Sequence, residues 1–220
     1  MPFELVENVY RSAPLTEFDW LEHGFGNRFF SPPEGLVTLR QIHSDIAVHA
    51  DRAGCPVEGD ALLSSAPGRL VGVKTADCLP ILLVDERHRA VAAVHAGWRG
   101  TAAQIALKTL RAMNARPADL LAAIGPGIGP CCYEVGPEVA ARFGIEGRAR
   151  IDLAEINRQQ LLSAGIERIY IAGLCTFCHA DQFHSFRRDR EAAGRMISFI
   201  GVKAAPPSRR ETSAETDRSS

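Results

Sequence analysis

The sequence predicts an α+β domain with mixed or antiparallel sheets. Three observations predict it. Short runs rich in Val, Leu and Ile outnumber helical segments. The two kinds do not alternate regularly, which argues against a doubly wound parallel sheet. Residues 1–203 hold no internal repeat and no linker, so they read as one domain. From 204 to 220 the chain is polar and nearly free of large apolar side chains, the composition of a disordered tail.

The elements follow in order. Residues 1–30 are mixed and weakly periodic. Residues 36–42 read as a strand leading into Gln41-Ile42-His43-Ser44, with a second short strand over 46–49. Gly54, Pro56 and Gly59 mark 51–59 as loop. Strands are expected over 60–63, 70–74, 81–84 and 90–94. Residues 101–114 form a helix in this reading, because Ala102, Ile105, Ala106, Thr109, Leu110 and Met113 recur at helical spacing. Asn114 is its stop and Pro117 follows. A buried strand over 120–124 runs into the turn-rich Gly125-Pro126-Gly127-Ile128-Gly129-Pro130. Residues 137–143 read as a short helix with Pro at its start and Gly144 at its end. Residues 152–164 read as another, with Asp152 and Glu155 spaced as a capping box. The last strands are expected over 169–172, 183–187 and 196–202.

Composition narrows the class of function. Hydrophobic residues make up 46% of 220 and charged residues 23%, an ordinary globular balance. The formal net charge is −1, so no electrostatic footprint points to nucleic acid or an anionic membrane. No apolar run approaches the roughly 18 residues of a membrane span. Met1-Pro2-Phe3-Glu4 lacks the basic start and apolar stretch of a signal peptide, so cytoplasm is the expected compartment. There, six cysteines read as free thiols or ligands rather than disulfides.

The most informative stretch is Thr75-Ala76-Asp77-Cys78-Leu79-Pro80, followed by Val94-His95-Ala96-Gly97-Trp98-Arg99-Gly100. Between them, the runs 81–84 and 90–94 read as a hairpin. With Glu86-Arg87 as a two-residue loop, Cys78 and His95 stand directly opposite on one face, their Cβ atoms about 4.5–5.5 Å apart. That spacing suits two ligands of one ion, whereas a slip of one residue would separate them. With His43 as a third ligand, a thiolate and two imidazoles suit Zn²⁺ and leave the fourth position open. The same residues are compatible with a buried Cys78 beside unrelated histidines, and with a metal-free Cys78–His95 nucleophile pair.

Other motifs are less specific. The turn from His95 to Gly100 leads into a helix start, where backbone N–H groups favour anions, and Arg99 adds a bidentate donor. A plain turn with Trp98 packed is the competing reading. Cys175-Thr176-Phe177-Cys178-His179 matches the haem-attachment pattern, which suits exported proteins. Structural thiols are the preferred reading for this pair, ahead of a zinc half-site or a redox dithiol, because no second C-x-x-C exists. Cys131 and Cys132 are adjacent and do not readily bridge each other. Arg187, at the end of the run 183–187, either reaches an anionic group or ends a solvated strand. The loop from Gly125 to Cys132 lacks the lysine of a P-loop. No H-x-E with P-C-x-x-C is present, which excludes a cytidine-deaminase type of zinc site.

Taken together and in order, Gln41-Ile42-His43-Ser44, Gly59-Asp60-Ala61-Leu62, the Cys78 and His95 segments, Ile124-Gly125-Pro126 and Ser185-Phe186-Arg187-Arg188-Asp189 resemble the YfiH-like family, also called the laccase-domain or polyphenol-oxidase family. The resemblance runs from about Leu36 to Val202. It implies a single α+β domain with mixed β-sheets sandwiched between helices, and a Zn²⁺ site at His43, Cys78 and His95. It also implies phosphorolysis of adenosine, inosine, guanosine and methylthioadenosine, and deamination of adenosine. The partners implied are purine nucleosides and phosphate. The family's older description is copper-dependent polyphenol oxidation. This chain has seven histidines and no H-x-H pair, which speaks against a multicopper cluster. A single Cu²⁺ in the zinc site remains chemically reasonable, since copper outcompetes zinc at most N/S sites.

For such chemistry, Asp77 and Asp60 are the carboxylates expected to move a proton, although strand neighbours face opposite ways and Asp77 stands next to a ligand. Arg40, Arg99 and Arg187 are the candidates to hold phosphate. A metal-free hydrolase built on Cys78 and a non-catalytic metal-binding protein are the other classes the residues allow.

Overall fold

The computed structural model of the chain describes residues 2–51 and 57–204. Apart from Ala204, the tail expected from 204 lies outside the described residues, as do Cys55 and most of the loop expected over 51–59. The first half contains β1 (Phe3–Val6), β2 (Val9–Ser12), α1 (Ala13–Thr16), β3 (Leu21–Gly26), β4 (Val37–Thr38), β5 (Ala47–His49), β6 (Ala61–Ser64), β7 (Leu70–Thr75), β8 (Leu79–Asp85) and β9 (Ala90–Ala96). The second contains α2 (Trp98–Ala102), α3 (Ile105–Met113), β10 (Leu120–Ile124), β11 (Glu134–Val135), α4 (Pro137–Ala140), β12 (Ala149–Arg150), α5 (Leu153–Ser163), β13 (Arg168–Ile171), α6 (Phe186–Asp189) and β14 (Met196–Val202).

Two six-stranded mixed sheets organise the chain. One runs β1-β2-β3-β14-β7-β4 and the other β13-β10-β8-β9-β6-β5; β11 and β12 make a small hairpin. In the first sheet only β4 and β7 are parallel. In the second, β10 with β13 and β5 with β6 are parallel, and the central strands are antiparallel.

Alternation along the central strands divides the core in two. Leu82, Val84, Val91, Ala93, Leu121 and Ala123 face the first sheet and meet Phe25, Val71, Val73 and Ile200. Leu79, Ile81, Leu83, Ala92, Val94, Ala122 and Ile124 face the other way, into a core shared with Ile105, Ala106 and Leu110 of α3 and Leu153 and Leu161 of α5. β8 is therefore buried along its whole length, which explains its unbroken apolar run. Each fully buried aliphatic side chain there contributes about 1.5–3 kcal/mol. The layers run sheet, sheet, helices. Among the described residues, no helix is long and apolar enough to cross a membrane.

Local chemistry sets several boundaries. Asn114 adopts a left-handed conformation (φ 52°) and ends α3 as expected. Asp152 caps α5 by accepting from the Glu155 amide at 3.0 Å. The reciprocal half of the expected box is missing, because the Glu155 carboxylate pairs with Arg158 and Gln159 instead.

Three expectations are corrected. The helix over 101–114 is two helices, broken where Gln104 turns left-handed (φ 61°); Asn157 and Gln160 of α5 tie the first of them down through Thr101. Residues 183–187 are not a strand. Ser185 accepts from the Arg188 amide and starts α6 instead. The weakly periodic N-terminus, for which no element was expected, forms β1, β2 and β3: β1 and β2 are only four residues each, and β3 is buried at five of its six positions between β2 and β14, so none leaves an alternation to read.

The hairpin register also differs. Asp85 pairs with Ala90, so the loop has four residues, and His95 faces Pro80 rather than Cys78. The cause lies in Asp85, whose buried carboxylate accepts from the amides of Arg87 (3.0 Å) and His88 (3.1 Å) and holds a wider turn. The slip is by two residues, so the face each side chain takes is unchanged.

Candidate metal centre

Two loops and the end of β9 converge where the central strands of the second sheet end. Cys78 lies between the end of β7 and the start of β8, at a point where Asp77 is held at φ 83°. Beyond the last pair of the β8–β9 ladder, Cys78 comes to lie against Gly97. A Cβ at position 97 would stand 2.8 Å from the Cys78 Sγ and 3.5 Å from His43 Cδ2, so only glycine fits there. His95 is the penultimate residue of β9 and is buried. His43 sits in the loop after β4 at φ 58°, and its ring meets that of His95 edge-on, with centroids 4.9 Å apart. One ligand atom from each of His43, Cys78 and His95 can be chosen so that all three lie within 4.8 Å of one another. His43 is exposed, Cys78 half-buried and His95 buried, so the group opens to solvent on the His43 side.

Asp60 organises this arrangement from behind. Fully buried, it places Oδ1 2.8 Å from His95 Nδ1. The same carboxylate accepts from the amides of Ile42 (3.3 Å), His43 (3.1 Å) and Ser44 (2.5 Å), and from the Ser44 hydroxyl (2.6 Å). One side chain thus fixes both the His95 ring and the loop bearing His43. With Nδ1 engaged, His95 presents Nε2 outward, the carboxylate–imidazole pattern that supports metal ligands.

Electrostatics follow from these contacts. Burial alone would raise the Asp60 pKa, but hydrogen bonds from His95 and Ser44 outweigh it and hold the group well below the usual carboxylate range. Burial likewise opposes a charged Cys78, yet hydrogen bonds from His43 and His95 bring its thiol down to about 6. His95 is disfavoured as a cation by burial, but Asp60 and Cys78 push it up to about 9. Without an ion, Cys78 and His95 therefore form a thiolate–imidazolium pair at neutral pH; an ion would take the place of the proton.

The remaining candidates have definite places. Asp77 Oδ1 accepts from the Thr176 hydroxyl at 2.7 Å, and Oδ2 from the Arg187 amide at 2.6 Å. Both oxygens are occupied in anchoring the Thr176 loop and the first turn of α6, a geometry that suits a positioning group better than a proton relay. Asp60 is likewise saturated. Arg187 donates to the Glu134 carbonyl at 2.9 Å and lies 5.4 Å from the centre of the Tyr133 ring. Arg99 lies over Trp98 at 4.4 Å. Arg40 pairs with Glu58 at 2.9 Å on the exposed surface, so holding phosphate would require that pair to open.

Sequence reasoning did not single out Tyr133. Its hydroxyl is pushed up to about 12, chiefly by burial and then by the Cys78 and Asp77 charges, while Arg187 and Arg99 act the other way. These charges act on it from three other segments of the chain. Nothing in the run Cys131-Cys132-Tyr133-Glu134 signals this, because it depends on how that loop folds over Asp77.

Comparison with known proteins adds an independent line. A family model described as multi-copper polyphenol oxidoreductase laccase matches residues 24–203. A Deinococcus radiodurans protein named purine nucleoside phosphorylase is 43% identical over 182 residues, covering 77% of this chain and 71% of that protein. The Escherichia coli protein named purine nucleoside phosphorylase YfiH is 36% identical over 181 residues, covering 76% of this chain and 74% of its own. Among solved structures, YlmD from Geobacillus stearothermophilus aligns with a TM-score of 0.81 at 29% identity, covering 92% of this chain and 99% of that one. A Bacillus licheniformis protein titled hypothetical protein YfiH aligns with a TM-score of 0.83 at 29% identity and the same coverage.

Proposed function

Because the chain belongs to the multi-copper polyphenol oxidoreductase laccase family, and relatives at 43% and 36% identity are named purine nucleoside phosphorylases, we propose that it is a zinc-dependent purine nucleoside phosphorylase. The substrates are adenosine, inosine, guanosine and methylthioadenosine together with phosphate, and adenosine is also deaminated. The observation that carries this reading is the convergence of His43, Cys78 and His95 ligand atoms within 4.8 Å, backed by Asp60.

The donor set fits zinc. Thiolate and imidazole are both zinc ligands, and three protein ligands leave the fourth position open as in catalytic sites; an Asp60-bound His95 supplies an oriented nitrogen. A multicopper cluster does not fit seven histidines without an H-x-H pair, although one Cu²⁺ could occupy the same ligands. When bound, an ion held by His43, Cys78 and His95 would supply Lewis-acid chemistry there.

The chain's own residues do the rest. Asp60 keeps the His95 proton on Nδ1 and so the lone pair of Nε2 free. Arg99 and Arg187 supply positive charge on the side of the centre that Tyr133 lines, and Arg40 adds to it if released from Glu58. There they hold phosphate in reach of the anomeric carbon, where the new C–O bond forms as the glycosidic bond to the purine breaks. Asp77 holds the Arg187 backbone and so sets where that charge lies. Cytoplasm is the proposed compartment, where the five described free thiols stay reduced.

The test is to incubate zinc-loaded protein with adenosine and phosphate and to measure adenine, ribose 1-phosphate and inosine, with His43→Ala as control. Absence of all three products from the wild type would end this reading. A second reading rests on the Cys78–His95 contact itself: a metal-free hydrolase with Cys78 as nucleophile. Full activity in exhaustively chelated protein would favour it.

A further inference from the structure

Cys131-Cys132 and Cys175-x-x-Cys178 are far apart in the chain, the outer members separated by 47 positions, yet the fold closes them on each other. Gly127 bridges Cys175 in parallel fashion. The Gly127 amide donates to the Leu174 carbonyl at 3.2 Å, and the Thr176 amide to the Gly127 carbonyl at 3.0 Å. Each cysteine pair then sits in a turn. The Cys132 and Tyr133 amides both reach the Gly129 carbonyl at 3.0 Å, and the His179 amide reaches the Cys175 carbonyl at 3.1 Å. In a strand, adjacent residues face opposite ways; in this turn Cys131 and Cys132 face the same way.

The result is four sulfurs all within 4.8 Å of one another. Cys178 Sγ is 3.6 Å from that of Cys131 and 3.3 Å from that of Cys132. A Zn–S bond of about 2.3 Å gives a tetrahedron with edges of about 3.8 Å, so the group is spaced for one ion. A backbone amide, that of Gly129, points at Cys175 Sγ from 3.3 Å, as a thiolate requires. The backbone is close as well: a Cβ on Gly129 would lie 3.3 Å from the Cys175 Cβ and 3.4 Å from the Cys131 Sγ.

We propose that Cys131, Cys132, Cys175 and Cys178 hold a structural Zn²⁺ in a closed tetrathiolate site, separate from the His43, Cys78 and His95 centre. Four protein ligands leave no open position, which is the mark of a structural rather than a catalytic zinc. Its place explains its use. Cys132 precedes Tyr133, and Cys175 precedes Thr176, which holds Asp77. The ion therefore locks the loop that carries Tyr133 to the one that anchors Asp77, the neighbour of Cys78 in the chain.

The experiment uses full-length Cys78→Ala protein, purified under reducing conditions, so that the first centre contributes no thiolate. Elemental analysis should find about one zinc per chain. Replacement by Co²⁺ should give intense thiolate-to-cobalt charge transfer and tetrahedral visible bands that saturate at about one equivalent. Adding Cys131→Ser and Cys178→Ser should abolish that spectrum and the retained zinc. The cobalt titration needs no further variant, so it decides even if the triple variant misfolds. No thiolate charge transfer, iron in place of zinc, or an intact mass showing disulfides under reducing purification would overturn the assignment.

Discussion

At the scale of single residues, Asp60 does the most with one side chain. Its carboxylate orients His95 and gathers three consecutive amides around His43. Asp60→Asn keeps the shape but loses the charge, and should weaken zinc binding about 10- to 100-fold, read by chelator competition. Cys78 offers a second test at this scale. Its folded pKa of about 6 lies below the usual 9.0 because His43 and His95 donate to the thiolate against the cost of burial. In metal-free protein, alkylation of Cys78 should thus rise with a midpoint near pH 6, and His95→Gln should move it back toward 9. The sign for stability is the same. A depressed thiol pKa stabilises the metal-free fold fully above the unfolded value and is lost as pH falls through about 6. His95, raised to about 9, stabilises below its unfolded value, and that contribution is lost as pH climbs through about 9. The residue types at 43, 78 and 95 were readable because each carries ligand chemistry by itself. The supporting role of Asp60 was not, since a carboxylate read in isolation serves equally as base or as anchor.

Elements are decided by side chains that complete backbone hydrogen bonding. Asp152 starts α5 through one bond to the Glu155 amide, and Asp152→Ala should cost about 1 kcal/mol of unfolding free energy, measured by urea titration. That cap was legible in the sequence because its partner is three residues away. The hairpin β8–β9 was not, because Asp85 widens its loop through contacts to Arg87 and His88 that no short pattern announces. The break at Gln104 is similar: the apolar stripe runs on through 102–113, and only Thr101, held by Asn157 and Gln160 of α5, fixes where the first helix must stop.

For the whole molecule, stability rests on the contact between the two sheets. Leu82 is fully buried there among Val71, Val73 and Phe25. Leu82→Ala should cost about 2–5 kcal/mol, a large part of the 5–15 kcal/mol typical of a domain, and should show as a drop in urea midpoint with an unchanged m-value. The ranking matters for the site: the centre lies at the rim of this sandwich, so its loops inherit their positions from packing far from the ligands. By itself the sequence determined the α+β class, the central strands and the face each presents, and it singled out His43, Cys78 and His95 as candidate ligands, because alternation and ligand chemistry are local properties. Only the tertiary structure decided the hairpin register, the burial of Asp60 behind both histidines, the placing of Tyr133, and the meeting of Cys131 and Cys132 with Cys175 and Cys178. Each of these joins segments whose separation along the chain carries no record of their distance in space.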